Sequence, residues 1–110
     1  MKRGDIYLVN WEPSVAGEPA NSRPGLLLTN DMANEQLPHL MLAPLTTNVT
    51  RLYPFDVLLT SGSCGLSESS KVQLNYLRGM NRSRLGAYLG SVPQRLMHEV
   101  DEKLRDHLQL

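Results

Sequence analysis

Cysteine is almost missing from this chain: Cys64 is the only one in 110 residues. No disulfide can therefore close within it, which fits a reducing compartment. Long apolar runs are missing too, so nothing in the sequence is built to span a bilayer as a helix. The opening residues Met1-Lys2-Arg3-Gly4-Asp5 put charge where a secretory leader needs an apolar stretch, and a cytoplasmic address is expected. There is no excess of either charge, with 11 basic and 11 acidic side chains. That balance argues against a protein held on nucleic acid by bulk electrostatics. Internal repeats, low-complexity tracts, phosphate-cradling glycine motifs and a Ser/His/Asp order are all absent.

The residues present read as one compact domain, 1–110, with 41% hydrophobic side chains and ordinary charge content. Asp5 to Trp11 alternates, with Ile6 and Leu8 on one face and Tyr7, Val9 and Trp11 on the other, which predicts a strand covered on both sides. A loop carrying Pro13, Gly17 and Pro19 follows. Gly25 to Asn30 reads as a buried strand, and 31–38 as a polar connection with room for one helical turn. His39 to Thr46 is a third strand, in which Pro44 predicts an edge or a bulge. The spacing of Tyr53, Phe55, Val57 and Leu59 marks a fourth, and Thr60 to Ser70 a long loop. Lys71-Val72-Gln73-Leu74-Asn75-Tyr76 alternates polar with apolar and predicts a fifth strand with Lys71, Gln73 and Asn75 on one face. Leu85 to Gly90 adds a last strand.

Ser91-Val92-Pro93-Gln94 has the pattern of a capping box and announces a helix. Within it Leu96 or Met97, Val100, Leu104 and Leu108 recur at helical spacing, with Glu99/Lys103 and Asp101/Arg105 as pairs four apart. Strands followed by one closing helix favour a small barrel-like antiparallel sheet with the helix packed outside.

Charge is unevenly spread. Residues 69–90 carry Lys71, Arg78, Arg82 and Arg84 and no acid. Such a segment is either a solvated face or a patch that tracks a polyanion. Cys64 has no base placed beside it by spacing, and His98 with Glu102 lies among other charges on the polar side of the helix, so neither reads as a nucleophile or a metal centre. Arg23, at the junction of the loop with the apolar run that follows Pro24, has two readings: a surface ion pair, or a fixed guanidinium acting on phosphate. Glu18, Arg23, Thr46 and Asn75 with the basic segment make a set that lacks a protein nucleophile. RNA cleavage tolerates that lack, because the 2′-hydroxyl attacks its own 3′-phosphate; DNA, without that hydroxyl, should be inert.

Several stretches together resemble the MazF/PemK/Kid toxins, the endoribonucleases of type II toxin–antitoxin pairs. They are Arg3-Gly4-Asp5-Ile6-Tyr7-Leu8-Val9, Glu18 to Arg23-Pro24 and on to Asn30-Asp31, Ala43-Pro44-Leu45-Thr46, Leu77-Arg78, Arg82-Ser83-Arg84-Leu85-Gly86, and the helix with Glu99-Val100-Asp101. The resemblance implies an SH3-like antiparallel β-barrel with a C-terminal helix and a homodimer. It also implies cleavage of single-stranded RNA, without metal or other cofactor, to a 2′,3′-cyclic phosphate and a 5′-hydroxyl. Inhibition by a cognate MazE-like antitoxin is implied as well; an acidic antitoxin segment laid across the basic strand would neutralise both its charge and access to it. The family's catalytic arginine falls on Arg23, its threonine on Thr46, and a loop acid common in the family on Glu18. Glu18 would accept the 2′-hydroxyl proton or orient Arg23. Lys71, Gln73, Asn75, Tyr76, Arg78, Arg82 and Arg84 would contact RNA. Tyr76 stands where relatives often have Gln, and Pro19 follows Glu18 where Gln is frequent. Tyr76 would stack on a base or join the core.

Two other readings use a similar barrel: a CcdB-like gyrase poison, which works through a C-terminal tail bearing tryptophan, and a non-catalytic binding module. The tail here is Asp106-His107-Leu108-Gln109-Leu110, and the only tryptophan is Trp11.

Overall fold

The computed structural model describes residues 1–110. Seven strands form: β1 (Asp5–Asn10), β2 (Ser22–Leu27), β3 (His39–Thr46), β4 (Asp56–Leu59), β5 (Ser70–Gln73), β6 (Arg78–Asn81) and β7 (Leu85–Ser91). Two helices accompany them, α1 (Asp31–Gln36) and α2 (Gln94–Leu108). All pairings are antiparallel, in the order β4-β5-β3-β2-β1-β7, with β6 also paired to β3. The ends of that order do not pair, so the sheet is barrel-like and open. No helix is long and apolar enough to cross a membrane.

Both faces of the sheet are covered, as the alternation of β1 requires. Ile6 belongs to a cluster of buried side chains with Leu26, Leu45, Val57, Val72 and Leu74, closed by Met97 and Val100 of α2. Val9 and Trp11 belong to a second cluster with Leu27, Leu40, Leu42 and Met80. Leu8 does not share the burial of Ile6, because register shifts between β1 and β7 on either side of Tyr7 curl the sheet away and leave it half-open.

Several sequence expectations need correction. The strand expected over 71–76 stops at Gln73, and Leu74–Tyr76 is a 3₁₀ turn, so the face shared by Lys71, Gln73 and Asn75 does not form. β2 begins at Ser22, which places Arg23 inside a strand. Pro44 is on neither an edge nor a bulge. β3 is central, and Pro44 falls where its outer neighbour changes from β6, ending at Leu42, to β5, starting at Leu45, so no ladder bond is lost there. The capping box is also not made: Ser91 stays in β7 and Pro93 caps α2 without a side-chain bond. Glu99 does pair with Lys103 at 3.6 Å, whereas Asp101 turns to Arg3 at 2.8 Å instead of Arg105.

Candidate active site

A proline opens the site. β2 and β3 pair through Leu27↔Leu42, Leu26↔Ala43 and Gly25↔Pro44, and there the ladder ends. Pro24 has no N–H with which to extend it, whereas the nitrogen of Pro44 faces away from β2 and takes no part in this ladder. Carried two residues further, the same register sets Arg23 opposite Thr46. The strands part at that level around a cleft of about 300 Å³, lined by Asn21, Ser22, Arg23, Thr46, Thr47 and Ser70 among others.

Arg23 is fixed by its backbone and left free at its tip. Its main chain pairs with Val9 across β1, and its carbonyl accepts the indole Nε1–H of buried Trp11 at 3.1 Å. Trp11 can come this close because of Gly25, where a Cβ would stand 2.9 Å from Val9 Cγ2 and 3.0 Å from Trp11 Cζ2. On the side chain, Nε donates to Ala20 O at 3.3 Å. The two Nη groups make no hydrogen bond, and no carboxylate pairs with them. Of the two sequence readings, the surface ion pair is thus the one the structure lacks. Arg23 is also the only charged side chain lining the cleft, so an anion there meets an unopposed guanidinium.

Thr46 ends β3, and its Oγ1 accepts the N–H of Asn48 at 3.2 Å. Since the oxygen is used as acceptor, the hydroxyl hydrogen remains for an acceptor in the cleft. Ser70 is buried with its hydroxyl donating to Glu68 O at 3.3 Å, and forms the floor beside it. Ser70 and Asn21 carry no signal in the sequence. They reach the cleft because β5 pairs with β3 and because the loop before β2 folds back, with Asn21 O accepting from Trp11 N.

Glu18 lies in a second groove of about 390 Å³ with Trp11, Pro13, Pro19, Asn75, Tyr76 and Arg78. Pro19 lines this groove and Ala20 the first, so the two adjoin across one peptide. Glu18 does not touch Arg23; its Oε1 accepts the N–H of Val15 at 2.7 Å. Tyr76 neither enters the core nor stands free, for its hydroxyl donates to Gly17 O at 2.8 Å and ties the Glu18 loop down. Asn75 is exposed at the groove edge.

The basic row is dispersed by the fold. Lys71 is only 6% exposed and bonded to Asp56, because the β4–β5 pairing lays it against an acid from a distant part of the chain. Gln73 is half-buried, with Oε1 out of reach of solvent. Arg82 binds the carbonyls of Asn34 and Leu37 at 2.6 Å, a cation at the C-terminal end of α1. Arg78 donates to Trp11 O at 3.0 Å, and Arg84 to the carbonyls of Asn10 and Glu12. These arginines thus brace the segment after β1, and of the row only Arg78 lines either groove. No three side chains of His, Cys, Asp or Glu type converge anywhere. Ionisation is perturbed away from the clefts, at Tyr7, where burial chiefly and then Asp5 and Tyr88 push the phenol up.

Comparison with known proteins supplies a second, independent line. Residues 2–108 match the family described as PemK-like, MazF-like toxin of type II toxin-antitoxin system. The chain is 34% identical over 115 residues to the endoribonuclease MazF9 of Mycobacterium tuberculosis, covering all of this chain and 98% of that one. In fold it superposes on MazF from Deinococcus radiodurans with a TM-score of 0.84 at 27% identity, covering 100% of this chain and 97% of the other. A MazE–MazF structure from the same organism gives 0.79, also at 27% identity, with 100% and 96% covered.

Proposed function

Because the chain belongs to the PemK-like, MazF-like toxin family, we propose that it is an endoribonuclease toxin whose cleft between β2 and β3 cuts single-stranded RNA. The observation that carries this reading is the convergence of Arg23 and Thr46 on one acid-free cleft, with the Nη groups of Arg23 unspent. The substrate supplies the nucleophile. Its 2′-oxygen bonds to phosphorus, the bond to the 5′-oxygen breaks, and the products are a 2′,3′-cyclic phosphate and a 5′-hydroxyl. Arg23 holds the non-bridging oxygens and donates a hydrogen bond to the departing 5′-oxygen; a guanidinium, with donors and no acceptor, is no base. Thr46 donates its hydroxyl to a phosphate oxygen. Glu18 is the only carboxylate lining the two grooves, and its Oε2 is the acceptor at hand for the 2′-hydroxyl proton. Neighbouring bases lie along Asn75, Tyr76 and Arg78, where one ring has room to stack.

Purified protein incubated with a long transcript will cut it equally with and without EDTA, and mapped ends will carry the cyclic phosphate and the 5′-hydroxyl. A DNA of the same sequence will stay intact. Activity lost on chelation, or DNA cut at the RNA rate, refutes the mechanism. Thr46→Val, which removes one neutral donor and keeps the shape, will lower kcat by about 10- to 100-fold in single-turnover cleavage. An unchanged rate takes Thr46 out of the chemistry.

The MazE–MazF relative supports a MazE-like antitoxin as a partner, and membership of a toxin–antitoxin family supports a homodimer that this partner inhibits. The single thiol and an RNA substrate support a cytoplasmic address, and one connected sheet with α2 packed on it supports a single domain over 1–110. The gyrase-poison reading fails on Trp11, which is 1% exposed beneath β2 and has no tip to wedge into a partner.

A further inference from the structure

We propose that Lys71 is a positioning residue for Thr46, acting through the segment 47–55 that joins β3 to β4; this rests on the reading of the Arg23–Thr46 cleft. The backbone of Lys71 stands opposite Thr46 in the β3–β5 register. Its ammonium reaches the other end of the same segment, donating to Arg51 O at 2.8 Å and to Asp56 Oδ2 at 3.0 Å, and it lies 5.3 Å from the centre of the Tyr53 ring. Asp56 Oδ2 also accepts the N–H of Tyr53 at 2.8 Å. One side chain thus grips the far end of a segment whose near end carries Thr46 and Thr47 into the cleft.

Little else holds that segment in shape. Residues 47–52 make no backbone–backbone hydrogen bond; Asn48 leans on Thr46 Oγ1, and Thr50 on Asn48 Oδ1 at 3.3 Å. Any slack in the segment therefore passes directly to the Thr46 hydroxyl through its bond with Asn48. Stability does not explain a lysine at this place. Position 71 is a buried strand site, and a buried ion pair is commonly no more stable than well-packed apolar side chains of the same volume. What an apolar side chain cannot supply is a directional bond to the Arg51 carbonyl. A reacting group displaced by about an ångström loses on the order of a hundredfold in rate.

The test is a double-mutant cycle on cleavage of a transcribed single-stranded RNA whose cut sites have been mapped with the unaltered protein. The variants are K71M/D56N, T46V and the triple combination. Replacing both members of the pair avoids stranding a buried carboxylate, and the melting temperature of each variant reports its fold. The expected result is a fall of about 10- to 100-fold in kcat for K71M/D56N, with KM within about twofold and no further fall when T46V is added. Wild-type kcat in folded K71M/D56N, losses that multiply in full in the triple variant, or a melting temperature that collapses with the pair would each overturn the proposal. Wild-type cleavage by T46V alone would locate the failure in the reading of the cleft instead.

Discussion

Arg23→Ala will abolish RNA cleavage, with single-turnover rates falling on the order of a thousandfold or more, while the protein keeps its fold. The size of the effect follows from where the guanidinium stands. It is the only charge lining the cleft, so no neighbour can take over stabilisation of a phosphorus centre that gains negative charge as the 2′-oxygen attacks. The small cost to the fold follows from how little the side chain does there: one long bond from Nε to Ala20 O at 3.3 Å, and no ion pair. The residue's structural duties are borne by its main chain, through the pairing with Val9 and the bond from Trp11, and alanine retains both. Arg23→Lys separates charge from geometry. A single ammonium in place of a planar fork will recover only a small part of the rate if two phosphate oxygens must be held together. Cleavage by Arg23→Ala at more than about a tenth of the normal rate would place the chemistry elsewhere.

Trp11→Ala will have the opposite character, with a large loss of stability and a loss of activity that follows from it. Trp11 is 1% exposed and fills the second cluster against Val9, Leu27, Leu40, Leu42 and Met80. Truncating a buried tryptophan costs about 3–5 kcal/mol, a large part of the total stability of a domain this size. A melting temperature lower by at least about 15 °C is expected. Trp11→Phe divides the contribution in two. It keeps most of the apolar volume and loses the Nε1–H bond to Arg23 O, so it will cost about 1–2 kcal/mol. Cleavage by that variant, measured well below its melting temperature, reports how far the bond fixes Arg23. A melting temperature unchanged in Trp11→Ala would mean that the second cluster contributes little.

The two prolines show how a site can be legible in sequence while its cause is not. Pro24 and Pro44 flank Arg23 and Thr46 in sequence and can be read there as strand irregularities. Only the pairing of Gly25 with Pro44 shows that the β2–β3 ladder stops short of Pro24, whose missing N–H opens it into a cleft, while Pro44 sits where the neighbour of β3 changes. Glu18 shows the reverse. Five positions separate it from Arg23, yet its carboxylate turns back to Val15 and faces a neighbouring groove. The same limit governs the arginines 78, 82 and 84, whose partners are backbone carbonyls, groups that every residue carries and no sequence pattern distinguishes.

The amino-acid sequence by itself determined the strand-rich order, the closing helix, and the kinship that points to Arg23 and Thr46, since these rest on local periodicity and on short motifs in fixed sequence. Tertiary structure alone decided which charges are free to act. Lys71 and Arg23 are both cations on apolar strands, but one meets Asp56 across a ladder and is consumed, while the other meets no acid. Whether a charge is neutralised depends on side chains brought within a few ångströms by pairing between distant segments, where solvent no longer screens them, and distance along the chain carries no record of that.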